Sequence, residues 1–277
     1  MTEFSGRADP DRILPLLWRH RTARQAKTGR PPRLTVDAVV AAAIALADED
    51  GLEAASMARL AARLEVATMT LYTYVPSRPE LVDLMVDDVL TARGLPGPAE
   101  PRPADWRDQV FLYADRTRAA YVAHPWLAQV STVRPPIGPG MLADREYVLS
   151  TVAGLGLAPS RVDEAAIAIA GFVTSAARFD AESAQLLRSS GQTTDAWWEQ
   201  RTRLWEDYFE ADEHPTMNRL WTAGGFDRGT VEQARDAFAF GLRALLDGIE
   251  AAARTTNGPA GGSQSSETTG LRSSPMP

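Results

Sequence analysis

The sequence predicts an all-α protein, and three observations carry that prediction. Apolar residues recur at three- and four-residue spacing, with breaks, from Thr35 to Ala253, the alternation expected of strands is nearly absent, and good capping residues stand where the periodic stretches begin. Over 277 residues, 44% are hydrophobic and 23% charged, which is globular composition. About nine or ten helices are expected, with disorder at both ends.

The N-terminal residues 1–33 hold Pro10, Pro15, Pro31 and Pro32 and no sustained periodicity. They read as a flexible extension with at most a short helix around 13–18. Thr35 is suited to cap a first helix, in which Val36, Val39, Val40, Ala43, Leu46 and Ala47 form one stripe and which Gly51 ends. Ser56 caps a second helix carrying Leu60, Ala61 and Leu64. A turn at Glu65 and Val66 leads to a third helix over 67–75, stopped by Pro76-Ser77-Arg78-Pro79. Ser77 then caps a fourth helix, with Pro79 in its first turn and Leu81, Val82, Leu84, Met85 and Val89 buried.

The segment 94–103 is dense in Gly and Pro and marks a domain boundary. Beyond it, helices are expected over about 104–124, 126–133, 140–156, 160–190, 195–213 and 229–253. The last repeats Val231, Ala234, Phe238, Gly241, Leu245 and Ile249 every three or four residues. The Gly-, Ser- and Thr-rich tail over 254–277 has no apolar face and is expected to be disordered.

The formal net charge is -7, but the charge is uneven. Residues 12–34 carry seven basic groups (Arg12, Arg19, Arg21, Arg24, Lys27, Arg30, Arg33) and no acid, whereas residues 95–253 carry 15 basic and 22 acidic groups. A basic arm on an acidic body concentrates phosphate contacts at one end; a solvated basic tail is the plainer alternative. The absence of cysteine excludes disulfides and thiolate metal sites. No signal-like segment and no apolar run of membrane-spanning length is present, so a cytoplasmic protein with no membrane partner is expected. His20, His124 and His214 are scattered without metal-ligand spacing, and neither a phosphate loop nor a nucleophile elbow occurs. No metal, no cofactor and no catalytic residue is expected, and His124 reads as a helix-end residue.

Two short helices joined by a tight turn place the second in the DNA major groove. On the third helix Leu71 and Val75, four apart, face the core, which leaves Thr68, Met69, Thr70, Tyr72, Thr73 and Tyr74 on the other faces. Threonine hydroxyls bond base edges or phosphates, Met69 packs on a thymine methyl, and tyrosine hydroxyls bond phosphates. For Tyr72 and Tyr74 the competing reading is half-buried packing aromatics.

The stretch from Leu34 to Leu90 resembles the N-terminal domain of the tetracycline-repressor (TetR) family, most specifically over VATMTLYTYVPSRPEL, residues 66–81. It carries the Leu71-Tyr72 pair, an aromatic at Tyr74 and the Ser77-Arg78 turn. Two positions depart from the family pattern: Glu65 stands where glycine is usual, and Ala67 where a capping serine is common. The stretch from Phe238 to Ile249 is similar to the C-terminal helix of the subgroup closest to the tetracycline repressor. The resemblance implies a helix-turn-helix DNA-binding domain over 34–93 and a larger helical ligand-binding and dimerisation domain over 104–253. It implies Thr35 and Ser56 near phosphates, Thr68, Met69, Thr70 and Thr73 facing bases, Tyr72 and Tyr74 at the backbone or at thymine methyls, and Arg78, with Arg59, on phosphate. It further implies a homodimer through helices 160–190 and 229–253 on a palindromic double-stranded operator, released by a small-molecule effector.

Six of the seven tryptophans lie beyond residue 100, and Tyr113, Trp126, Met141, Phe172, Phe179 and Trp198 are candidates for an apolar effector pocket, each with plain core packing as its alternative. A DNA-binding module without a ligand and a helical enzyme are the competing functions.

Overall fold

The computed structural model describes residues 2–23 and 34–256. Among them are twelve α-helices and one short parallel strand pair, so the all-α expectation holds. The helices are α1 Pro10–Leu17, α2 Arg19–Ala23, α3 Val36–Asp50, α4 Met57–Arg63, α5 Thr68–Tyr72, α6 Arg78–Ala92, α7 Trp106–Ala123, α8 Pro139–Ala153, α9 Pro159–Ser190, α10 Thr194–Glu199, α11 Pro215–Thr222 and α12 Thr230–Thr256. The strands are β1 Glu3–Phe4 and β2 Val130–Ser131.

Local chemistry sets the helix ends of the first unit. The Thr35 hydroxyl accepts from the Ala38 N–H at 3.1 Å, and the Ser56 hydroxyl from the Arg59 N–H at 3.3 Å. Gly51 ends α3 at φ 87°, where a side chain would be strained. Ser77 behaves otherwise than expected: its hydroxyl bonds the Glu80 carboxylate and makes no bond to the α6 backbone. The apolar stripe of α3 packs on α4 and α6, and α6 is buried along nearly its whole length from Glu80 to Val89.

The core does not divide at the Gly/Pro-rich segment. The cluster built from α3 to α6 also takes in Tyr121, Trp126, Leu127, Ala128, Val130, Ala177 and Ala181 of the second unit. A separate cluster joins Val110, Tyr113, Tyr147, Val152, Ile169, Leu242 and Leu246, where α7, α8 and α9 pack together and α12 lies along α9.

Residues 2–23 correct the expectation of a flexible extension. Asp9 caps α1 by accepting from the Asp11 N–H at 2.9 Å, Pro10 occupies its first turn, and Ile13 and Leu17, four apart, are buried in the first core. β1 pairs in parallel with β2, Glu3 against Val130 and Phe4 against Ser131. The basic residues Arg24, Lys27, Arg30 and Arg33 of the expected arm, and the tail from 257 onward, lie outside the described residues.

Three further elements differ from the sequence reading. The helix expected over 126–133 is a 3₁₀ turn, Pro125–Gln129, running into β2. The helix expected over 195–213 is broken into α10 and a single π turn, Leu204–Tyr208, with α11 beginning at Pro215, whose ring suits a helix start and not its interior. Trp197, Trp198, Trp205, Trp221 and Phe226 associate there edge-on or tilted, and no residue of α10, the π turn or α11 is buried. On α12 the fully buried positions are Leu242 and Leu246, while Val231 is exposed.

Candidate nucleic-acid interface

The surface that can meet DNA is set by what α5 buries. Leu71 and Val75 are both fully buried, which fixes the helix against α4 and the first core. Four of the remaining side chains are turned away from it. Met69 is 74% exposed and Tyr72 41%, and Thr70 and Thr73 are exposed as well. Thr68 is half-buried, and so is Tyr74, which packs against the core as the competing reading had it. The Thr73 hydroxyl donates to the Thr70 carbonyl at 2.6 Å, so its lone pairs remain available to a donor from outside.

The turn before α5 is shaped by the two unusual residues. Glu65 takes φ 54° and is the single non-glycine residue at positive φ among those described. The turn is closed by the Val66 N–H donating to the Ala61 carbonyl at 3.0 Å. Ala67 occupies the N-cap of α5 and supplies no side-chain bond, so the first N–H groups of this helix keep free donor capacity toward an outside acceptor.

The two arginines are engaged within the chain. Arg59 pairs with Asp50 on the surface, an exposed contact that a phosphate can displace at little cost. Arg78, expected on phosphate, is paired within the chain here. Its Nε and Nη2 donate to the Glu3 carboxylate at 2.8 and 2.7 Å, and its Nη1 and Nη2 to the carbonyls of Ala55 and Leu52 at 3.0 and 3.1 Å. Fork-shaped guanidinium geometry suits this bidentate pairing.

The interface is joined to the second unit at points that sequence reasoning missed. Asp48 at the end of α3 accepts the Trp126 indole N–H at 2.8 Å and lies 2.9 Å from the His124 ring. Asp87 on α6 accepts the N–H groups of Gly140 at 3.2 Å and Met141 at 2.9 Å, at the start of α8. Burial raises the Asp87 carboxyl pKa, and the two N–H groups work in the opposite direction. At the far end of α6 the buried Arg93 donates to Thr117 at 2.9 Å and pairs with Asp144.

The six candidate pocket residues are not gathered around one cavity. Tyr113 is buried in the second core, stacked on Tyr147 with centroids 6.3 Å apart. Trp126 is buried in the first core, where its indole serves the junction with Asp48. Met141 lies in the first turn of α8, with its N–H on Asp87. Phe172 stacks on Phe238 at 5.6 Å, while Phe179 is 60% exposed and Trp198 belongs to the aromatic group around α10. Aromatic composition identified bulky side chains but not which of them share a wall.

This arrangement, an exposed reading helix over a helix-turn-helix core, has counterparts in known proteins. Residues 39–85 match the model of the bacterial regulatory proteins of the tetR family, and residues 98–253 match the model of the tetracycline-repressor-like C-terminal domain. The chain belongs to the TetR family. It is 39% identical over 249 residues to the HTH-type transcriptional repressor DrrR1 of Streptomyces coeruleorubidus, covering 90% of this chain and 88% of that one. The solved structure of apo ActR from Streptomyces coelicolor has a TM-score of 0.64 at 29% identity, covering 82% of this chain and 99% of that chain. ActR in complex with actinorhodin has a TM-score of 0.64 at 30% identity, with 79% and 98% covered. This TetR-family chain is therefore a DNA-binding transcriptional regulator, with its helix-turn-helix in α4 and α5. Among the described residues no helix is long and apolar enough to cross a membrane.

Proposed function

We propose that this protein represses transcription as a homodimer on a near-palindromic operator and leaves the operator when a hydrophobic or aromatic small molecule enters its second domain. The observation that carries the reading is the outward face of α5, which presents Met69, Thr70, Tyr72 and Thr73 while Leu71 and Val75 are buried. In this reading Thr68, Met69, Thr70 and Thr73 face bases, Tyr72 and Tyr74 flank them, and Thr35, Ser56 and Arg59 meet phosphates. The relative DrrR1 is a repressor, and ActR is a structural neighbour solved with actinorhodin and with (S)-DNPA; both support a repressor that answers to a small molecule.

Homodimerisation is supported by apolar side chains on the outer faces of the two longest helices. Ile167, Phe179 and Leu186 on α9 and Phe240 on α12 are each more than half exposed in the single chain, and a symmetric pairing covers all four at once. The effector is placed against the second core, where Tyr113 and Phe172 lie on α7 and α9, with Met141 in the first turn of α8 nearby. Occupancy there shifts α8 against α6, and Asp87 carries the shift to the reading helices. Such a regulator acts in the cytoplasm and turns over no substrate.

The test is a shift assay on an operator obtained by selection from random DNA, titrated with actinorhodin as the aromatic probe. A near-palindromic selected site and release by the probe support the reading. A site without dyad symmetry contradicts the homodimer. Retention of the complex across the polycyclic aromatic compounds tried favours the second reading, a DNA-binding module without a ligand, toward which the dispersal of the six candidate pocket residues also points.

A further inference from the structure

The carboxylate that occupies Arg78 comes from the N-terminal segment, and that segment is anchored to the second domain. β1 lies in register beside β2, and beyond it the Ser5 N–H donates to the Ser131 carbonyl at 3.0 Å. The buried Ser5 hydroxyl reaches the carbonyls of Arg134 at 2.8 Å and Ser131 at 3.1 Å. Gly6 has φ 66°, and a Cβ there would stand 2.5 Å from the Arg134 carbonyl oxygen, so the close approach of the two segments requires glycine. On its other side the Gly6 N–H donates to Asp83 of α6 at 2.7 Å. Glu3 is thereby held between β2 and α6, with both carboxylate oxygens on the Arg78 guanidinium.

Arg78 is the first residue of α6 and follows the exposed Thr73 by five positions. A guanidinium at a helix N-terminus beside a DNA-reading helix is suited to a phosphate oxygen, and a carboxylate satisfies it with the same fork geometry. We propose that Glu3 is a built-in phosphate mimic: the N-terminal strap, pinned to the second domain through β2 and Arg134, withholds Arg78 from DNA, and its release adds one phosphate contact. The strap thus gives the second domain a route to the DNA-binding surface separate from the contact between α6 and α8.

The experiment measures affinity of the full chain for a random-sequence duplex of about two helical turns over a salt series, which requires no knowledge of operator or effector. Glu3→Gln removes the competing charge while leaving β1 in place. It is expected to tighten binding several-fold at low salt and to steepen the logarithmic salt dependence by about 0.9 per protomer, the increment of one phosphate contact each, and so by roughly 1.8 for a bound homodimer. Gly6→Val, which alters no charge, frees the strap and is expected to give the same gain. In an Arg78→Ala background the gain from Glu3→Gln should vanish. Unchanged or weaker binding by Glu3→Gln overturns the proposal, because Glu3 would then be a brace that Arg78 needs. A gain that persists without Arg78 overturns it too, as a general charge effect. Should Gly6→Val fail to fold, Glu3→Gln alone and in the Arg78→Ala background decides.

Discussion

Asp87 of α6 accepts the backbone N–H of Gly140 at the start of α8, and the two helices meet there with no room for a side chain. A Cβ on Gly140 would collide with the Asp87 carbonyl oxygen, and one on Gly138 with the Asp87 carboxylate. The negative carboxylate faces the positive end of α8, which favours the contact electrostatically. α6 also carries Arg78 at its N-terminal end, so in the proposed response a shift of α8 is carried to the DNA-binding surface along this buried helix.

Gly140→Ala is therefore expected to destabilise the chain by about 1–3 kcal/mol through overpacking, in spite of alanine's higher helix propensity. Chemical denaturation measures it. A neutral or stabilising result would show that α6 and α8 can separate without cost, and the lever would lose its rigidity.

The second junction rests on Asp48. Trp126 is 1% exposed, and Asp48→Ala leaves its indole N–H without an acceptor. The expected loss is about 1–3 kcal/mol, whereas Asp48→Asn, which keeps an oxygen there, should cost less. Thermal unfolding of the two variants side by side checks the difference.

Asp83 gives stability a pH dependence of defined sign. Burial pushes its carboxyl up to about 6 from 3.8, against the opposing backbone hydrogen bonds from Gly6 and Ala8. Between those values the folded chain holds a proton that the unfolded chain releases. Stability from this group is present below about 4 and is lost as pH rises through 6. Asp83→Asn removes the titration and keeps an acceptor for Gly6. Relative to wild type it should therefore gain stability between pH 5 and pH 7.5, as denaturation midpoints at the two values will show.

The outer face of α12 separates self-association from internal packing. Ala244 is exposed between Phe240, 77% exposed, and the solvent-facing Gly248. Gly241 points inward instead, where a Cβ would lie 2.7 Å from the Phe172 ring. Ala244→Arg should yield folded monomers in sedimentation. Gly241→Arg, which the sequence alone places on the same seam, should lower stability by prising α12 from α9.

The helix-turn-helix was legible because local rules and burial agree there. The Thr35 and Ser56 caps, the α3 stripe and the inward Leu71 and Val75 all stand where spacing puts them. Even the strain at Glu65 follows from a glycine-type turn position filled by another residue. What was not legible depends on partners distant in sequence. Ile13 and Leu17 have helical spacing, but only the first core, from Leu34 onward, makes them buried. Glu3 with Arg78 and Trp126 with Asp48 span 75 and 78 residues, and no local pattern signals either pair. The pocket candidates are dispersed for the same reason, since bulk and aromaticity do not say which helix faces which.

The central claim is that the exposed face of α5 reads sequence, and selection from a random-sequence DNA pool tests it most directly. Wild type, Thr73→Ala and Met69→Ala are carried through parallel selections at one salt concentration. Both side chains are outside the core, so the variants should remain folded. The account predicts that each changes preference at a few base positions, by about 1–3 kcal/mol at most, with half-sites related by dyad symmetry. Recovery of the same sites with the same base preferences from all three proteins would contradict it, because the groove would then be read by some other surface.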